Sequence, residues 1–277
     1  YWDSNNLLSV EKRNYRFKEL SSFYSDIIRN YVDFFVPNKI SATLTGGNDT
    51  RANIAALSNM SIKPLTFSFG NHGSEDNLIS NQISNKMNLK HFNYFVESPN
   101  NQWQSEKSNQ ILYEGNTMIN IFRAHRLDAI ENFVKDNSQV DMLITGFMGG
   151  EFTKGASLDD YIVPNTVREI WKESHSKKDT IKLLLSERLF NVENLNLDYI
   201  ESRIYSLPYF NNSIKENEFH LVFDLIGSLH DVQDIGLFLD KVPVVVNPFM
   251  DIDFLHVLFS SNYSMMDKDN TLSLIHI

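Results

Sequence analysis

Thr45-Gly46-Gly47-Asn48-Asp49-Thr50 puts two glycines, one carboxylate and two hydroxyls in consecutive positions. Glycines let the main chain approach an anion closely, and successive N–H groups in such a turn point inward as donors. A helix starting at Thr50 adds partial positive charge at its N-terminus, so a pyrophosphate group suits the place. Asp49 does not bind an anion directly. A carboxylate beside phosphates makes sense when Mg²⁺ lies between them and inverts the local repulsion. Thr45 and Thr50 add hydroxyl donors. The plainer alternative is that Gly46-Gly47 is only a turn and Asp49 only an N-cap.

The flanking pattern is what an anion-binding turn needs, a strand before it and a helix after. Ile40, Ala42 and Leu44 alternate as in a short strand over 39–44, and a helix is expected from Thr50 to about Met60. A second strand is expected over 64–69, then a helix marked by Ile79, Ile83 and Met87, then an aromatic-rich strand from His91 to Val96. A helix from about Met118 to Lys135 carries Ile119, Phe122, Leu127, Ile130 and Phe133 on or near one face, and a fourth strand runs from Val140 to Thr145. Strands alternating with helices predict an α/β fold, a parallel sheet with helices on both faces, whose ligands bind at the carboxyl ends of the strands.

Ahead of this core, residues 1–36 form a lead-in with one helix, in which Phe17, Leu20, Phe23, Tyr24, Ile27, Ile28 and Tyr31 recur at helical spacing until Pro37-Asn38 stops it. The nucleotide-binding core is expected over 37–153. From about Lys154 no strand alternation is convincing, and a mainly helical region over 154–271 completes the same domain. Its expected helices are Val167 to His175, Thr180 to Phe190, Leu197 to Ser206, Ile214 to Leu229 and Asp251 to Ser260. Asp251 and Asp253 suit a helix start, where carboxylates complement the dipole. Asp76 fits equally an early helical turn or a site after the second strand, and the polar cluster from Ser228 to Asp234 fits a helix end or an acceptor pocket.

Composition narrows the chemistry. With 277 residues, 42% of them apolar, the chain can bury a real core. Its 25 basic against 35 acidic side chains leave −10, which repels nucleic-acid phosphates and argues against a nucleic-acid partner. Zero cysteines exclude disulfides, thiolate metal sites and cysteine nucleophiles. The histidines show no H-E-x-x-H pattern, and no G-x-S-x-G nominates a hydrolase serine. No apolar run approaches the roughly 18–20 residues that cross a bilayer, so membrane insertion is not expected. The start at Tyr1 has neither initiator Met nor signal-like regions and reads as the inside of a longer protein; a cytoplasmic location is expected. The last residues, 272–277, resemble a translated sequencing adapter and are expected to be a non-native tail.

Thr45 to Thr50 resembles the S-G-G-x-D-S loop of the ATP-pyrophosphatase (PP-loop) superfamily. Arg51 directly after it, Asp76 shortly after the strand from Thr66 to Gly70, and the late Asn247-Pro248-Phe249-Met250-Asp251 together resemble the asparagine synthetase C-terminal domain over roughly residues 15 to 262. The resemblance implies an adenine nucleotide alpha-hydrolase-like fold and an ATP- and Mg²⁺-dependent synthetase that adenylates a small-molecule carboxylate and transfers it to ammonia or an amine. It implies phosphate contacts from Thr45, Gly46, Gly47, Asn48 and Thr50, a metal contact from Asp49, and adenine contacts at Ser68 and Phe69. The family's second motif, S-G-E-G-x-D-E, matches Thr145-Gly146-Phe147-Met148-Gly149-Gly150-Glu151, placing Thr145 and Gly146 near the nucleotide.

Two charged positions of that second motif differ: Phe147 replaces a Glu near the reacting acyl group and Gly150 replaces a metal-binding Asp. Glu151 then becomes the candidate for both the catalytic and the metal role, since a Gly-Gly turn can re-aim the next side chain. A G-G-E variant resembles divergent relatives found beside surface-polysaccharide genes, which leaves a nucleotide-binding, catalytically degenerate scaffold as the alternative. The family's lysine falls at or after Asn270, and Lys268 is too early for it. The family's cysteine-dependent glutaminase half is absent, so ammonia has to come from a missing upstream domain, a partner or solution.

Overall fold

The computed structural model describes residues 11, 13–15, 17–95, 110, 113, 125–149, 238 and 241–260. In chain order these contain α1 (Phe17–Phe35), β1 (Ile40–Thr43), α2 (Asn48–Asn59), β2 (Leu65–Gly70), α3 (Glu75–Met87), β3 (His91–Phe95), α4 (His125–Asp136), β4 (Met142–Ile144), β5 (Val244–Val246), a 3-10 turn (Pro248–Met250) and α5 (Ile252–Ser260). The strands form one sheet in the order β3-β2-β1-β4-β5, every pair parallel. The chain moves outward from β1 to β3 and then returns to the other side of β1, so its direction of travel reverses between β1 and β4. In open α/β sheets a reversal of this kind is where ligands bind, beyond the carboxyl ends of the two strands.

The alternation expected of β1 sets which face meets which helices. Ile40, Ala42 and Leu44 share a buried cluster with Ile144 and Val246, Tyr24 and Ile28 of α1, Ile54 and Leu57 of α2, and Leu255 and Leu258 of α5. On the opposite face Leu65, Phe67 and Leu143 pack with Leu127, Ile130 and Phe133 of α4, where the Phe67 and Phe133 rings stack at 4.3 Å. Helices therefore cover both faces, as the pattern predicts. Asp141 fastens the entry of β1 to β4 by accepting from the Asn38 and Lys39 main-chain N–H groups at 2.8 and 3.0 Å. Desolvation works against its ionised form, but these hydrogen bonds prevail and hold its carboxyl below the usual range.

The element ends carry their own signals. Ser74 caps α3 by accepting from Asn77 N–H, and Asn88 closes it in the left-handed region with φ 53°. Asp251 caps α5, its Oδ1 accepting from the N–H groups of Asp253 and Phe254, while Oδ2 accepts from the Tyr31 hydroxyl at 2.6 Å. Burial and this bond raise the Tyr31 phenol above its usual range. The helix-start reading of Asp251 thus describes its contacts.

One expectation is corrected. No strand was expected beyond residue 154, yet Val244–Val246 pairs with β4, Leu143 opposite Val245. Apolar groups pack against both sides of this run, so it shows no alternation to recognise. The helices expected between 154 and 237 lie outside the described residues. No described helix is long and apolar enough to cross a membrane.

Candidate functional site

The loop after β1 lies at this reversal. Thr45 and Gly46 are half-buried, Gly47 is exposed, and α2 begins at Asn48, earlier than expected. Gly47 is the N-cap residue and makes no side-chain cap bond, so Asp49 lies inside the first helical turn rather than capping it. The loop's shape is held by its threonines: Thr45 N–H donates to Thr50 Oγ1 at 3.0 Å and Gly47 N–H to Thr45 Oγ1 at 3.1 Å. Arg51 reaches back, its guanidinium bonding Asn48 Oδ1 and its Nε lying 3.4 Å from Gly47 O. This puts a fixed cation against the outer side of the loop.

Two of the main-chain donors are therefore not bare. Gly46 N–H donates to Asp76 Oδ1 at 2.9 Å and Gly47 N–H is held by Thr45, which differs from the inward-pointing free donors expected. Asp76 lies in the first turn of α3 and fits both of its readings: an early-helix residue whose carboxylate reaches the loop. A Cβ on Gly46 would lie 3.0 Å from both Asp76 Oδ1 and Ile79 Cδ1, so glycine is what permits this approach.

The loop after β4 closes onto the same turn. A Cβ on Gly146 would stand 3.0 Å from Thr50 N, and one on Gly149 would stand 2.7 Å from Asp49 Cβ and Cγ. The two glycine-bearing loops are thus in van der Waals contact across the reversal, with Asp49 and Thr50 between them. Met148 spans this approach with φ 61°, buried in the core, a strained conformation for a long side chain. Thr145 is fully buried, its N–H donating to Val246 O at 2.9 Å.

Beneath the loops runs a polar chain not singled out from the sequence. Tyr24 of α1 donates to Asn53 Oδ1 at 2.5 Å, and Asn53 Nδ2 donates to Thr145 O at 2.9 Å. It ties α1, α2 and the end of β4 together directly under Asp49. Burial, and then the charge of Asp49, push the Tyr24 phenol well above its usual range, so it stays a donor. An Asn set between Ala52 and Ile54 on a buried helix face was the available signal.

Ser68 and Phe69 are brought to the second strand end but point to opposite faces. Ser68 Oγ is buried within 2.8 Å of Asn77 Oδ1, 2.9 Å of Asn93 Oδ1 and 3.3 Å of His91 Nε2, while Phe69 packs on the α4 face. Thr66, Ser68, His91 and Asn93 meet Asn77, Ser80 and Asn81 of α3 in a polar layer. Phe147 stacks on Phe238 with centroids 5.8 Å apart. Gly150 and Glu151 lie outside the described residues. Among the described residues no group of three or more His, Asp or Glu forms a metal cluster.

These features define a doubly wound α/β sheet with two glycine-packed loops at its topological reversal. No family model matches the chain, and no curated protein matches it. Among solved structures it is similar to an NMN synthetase from Francisella tularensis, at 12% identity and a TM-score of 0.38, over 52% of this chain and 59% of that one.

Proposed function

We propose that this chain is an ATP-dependent synthetase domain of the PP-loop superfamily, resembling the asparagine synthetase C-terminal domain. Its carboxylate substrate attacks the α-phosphorus of ATP, giving an acyl-adenylate and pyrophosphate; ammonia or an amine then displaces AMP. One observation carries the reading: Gly146 and Gly149 have no room for a side chain against Asp49 and Thr50, so two loops from adjacent strands are built as one cradle at the sheet's ligand end. The donor set suits a polyphosphate. Main-chain N–H groups, the Thr45 and Thr50 hydroxyls, the α2 N-terminus and Arg51 are all anion-binding groups, and a phosphate would take Gly46 and Gly47 N–H over from Asp76 and Thr45.

Mg²⁺ fits the same donor set, because this cation is usually held by one or two carboxylates plus phosphate oxygens and water rather than by an all-protein cage. Asp49 would hold it, with Glu151 as the proposed second carboxylate. An ion held there would supply neutralisation of the charge between the phosphates. Thr45, Gly46, Gly47, Asn48 and Thr50 orient the phosphates, Thr145 and Gly146 border the nucleotide, and the β2 end with Ser68 and Phe69 borders the adenine. Phe147, stacked on Phe238, shields the reacting carbonyl from water but moves no proton.

Isotope exchange of pyrophosphate into ATP, driven by a carboxylate panel, tests this reading. Carboxylate-dependent exchange supports it, and absence of ATP binding overturns it. The engaged Gly46 and Gly47 donors and the aromatic residue at Phe147 favour a second reading, a nucleotide-binding scaffold with weakened chemistry. ATP binding without exchange is its signature.

A further inference from the structure

Asn247 follows β5 directly, and both polar atoms of its side chain are shut off from solvent with no hydrogen-bond partner among the described residues. A buried carboxamide without partners is a standing cost to the fold, because its lost hydration is not repaid. Its place is informative. Ile144 pairs with Val246, so Thr145 and Asn247 are the next positions of the two strands, at the end of the sheet that carries the paired loops. Asn247 keeps an extended backbone, φ −119° and ψ 94°. Strand alternation then gives it the face of Val245 and Leu143. Phe147 and Phe238 pack on that face.

We propose that Asn247 is the specificity-determining residue of the acceptor pocket, reading an uncharged hydroxyl or amide on an aromatic or apolar body. The inference rests on the synthetase reading of the neighbouring loops and adds the class of carboxylate they would activate. A carboxamide offers one acceptor and one donor side by side, so a hydroxyl or amide satisfies both atoms, whereas a carboxylate accepts from Nδ2 and leaves Oδ1 unpaired. The groups on the face that alternation gives Asn247, Phe147 stacked on Phe238 with Val245 and Leu143, are apolar and would favour a ring over a charged head group.

The test uses the full chain, ATP–pyrophosphate exchange, and matched carboxylates: phenylpropanoate, its para-hydroxy and para-carboxamide analogues, and aspartate. Wild type is expected to prefer the hydroxy or carboxamide analogue over phenylpropanoate by about tenfold or more, with aspartate poorest. Asn247→Leu is expected to abolish that preference while leaving ATP affinity unchanged, and to raise the Tm of the unliganded protein by about 3 °C or more, since the orphaned amide is gone. Preference for aspartate, a preference that survives in Asn247→Leu, or a lowered Tm in that variant overturns the proposal. Exchange driven by carboxylates outside this panel but by none of its ring analogues overturns the acceptor assignment alone, whereas ATP binding with no exchange from any carboxylate favours the scaffold reading and removes the proposal with it. Loss of ATP binding in wild type instead removes the synthetase reading beneath it. Asn247→Asp serves as a second variant: its charge in an apolar wall is expected to suppress exchange with every uncharged analogue, and unchanged exchange counts against the proposal.

Discussion

Gly149→Ala is the sharpest perturbation of the paired loops. The new Cβ would sit 2.7 Å from both Cβ and Cγ of Asp49 and 3.0 Å from its Oδ1. Carbon atoms rest at about 3.5–4.0 Å, so a shift of roughly 1 Å is needed. Turning the Asp49 side chain moves Cγ but not Cβ, which is fixed to the first turn of α2. One of the two loops must therefore move. Overpacking of this kind costs about 1–3 kcal/mol, corresponding to a Tm drop of about 2–4 °C per kcal/mol for a chain of this size. Urea denaturation of wild type, Gly149→Ala, Asp49→Gly and the double variant isolates the contact, since Asp49→Gly removes both atoms that clash. The penalty of Gly149→Ala is expected to shrink by about 1–2 kcal/mol in the Asp49→Gly background. Free energies that add within about 0.5 kcal/mol would refute the contact and, with it, the paired-loop cradle.

Asp76→Asn keeps an acceptor for Gly46 N–H and removes a negative charge beside the phosphate position. ATP affinity is expected to rise about threefold or more at low ionic strength, by calorimetry, and the gain to fade with added salt; an affinity loss would instead make Asp76 a metal contact. His91 has its pKa lowered from its ordinary 6.5, chiefly by burial, with the Asn93 bond opposing. The unfolded chain then binds more protons than the folded one, so stability is full above about 6.5 and falls as pH drops through 6.5 toward the lower folded value; Tm measured against pH should flatten in His91→Gln. Val36 ends α1 with φ 47° and is largely exposed. Val36→Gly is expected to stabilise by about 0.5–1 kcal/mol in urea, and destabilisation would show that the left-handed cap is not strained.

The legible parts of the fold were those set by local pattern. The alternation of Ile40, Ala42 and Leu44, the stripe through Tyr24 and Ile28, and the strand-turn-helix around Thr45 to Thr50 each depend on neighbours in sequence, and each appears in the structure. What the pattern did not reveal depends on distant partners. Gly46 meets Asp76 30 positions away, and Asn53 meets Thr145 92 positions away. Nothing near Asn53 announces a carbonyl at the end of another strand. Val244–Val246 was missed because a short strand covered on both faces has no period, and its pairing with β4 is a tertiary event. The polar layer under β2 and β3 was hidden similarly: Thr66 and Ser68 alternate with Leu65 and Phe67 as an exposed face would, but α3 brings its own Asn and Ser side chains to meet them.

The two sides of the sheet's carboxyl end differ in how their polar groups are engaged. On the β2–β3 side, Ser68 is enclosed by Asn77, Asn93 and His91, so its hydroxyl is committed to the fold and any nucleobase there must be read by backbone and by the exposed edge of the strand. On the β4–β5 side, Thr145 is committed to Val246 O, while the next residue along β5, Asn247, has an amide with no partner among the described residues. Unspent hydrogen-bonding capacity thus lies on the side away from β2. Under the proposed synthetase reading this asymmetry has a use: one side would be fixed in shape for the nucleotide common to every cycle, the other would hold the groups that choose the acceptor. The Tyr24–Asn53–Thr145 chain keeps the two sides in register, because it anchors the end of β4 to the helix that carries Asp49. A substitution in that chain should therefore disturb nucleotide and acceptor together, whereas one at Asn247 should disturb the acceptor alone.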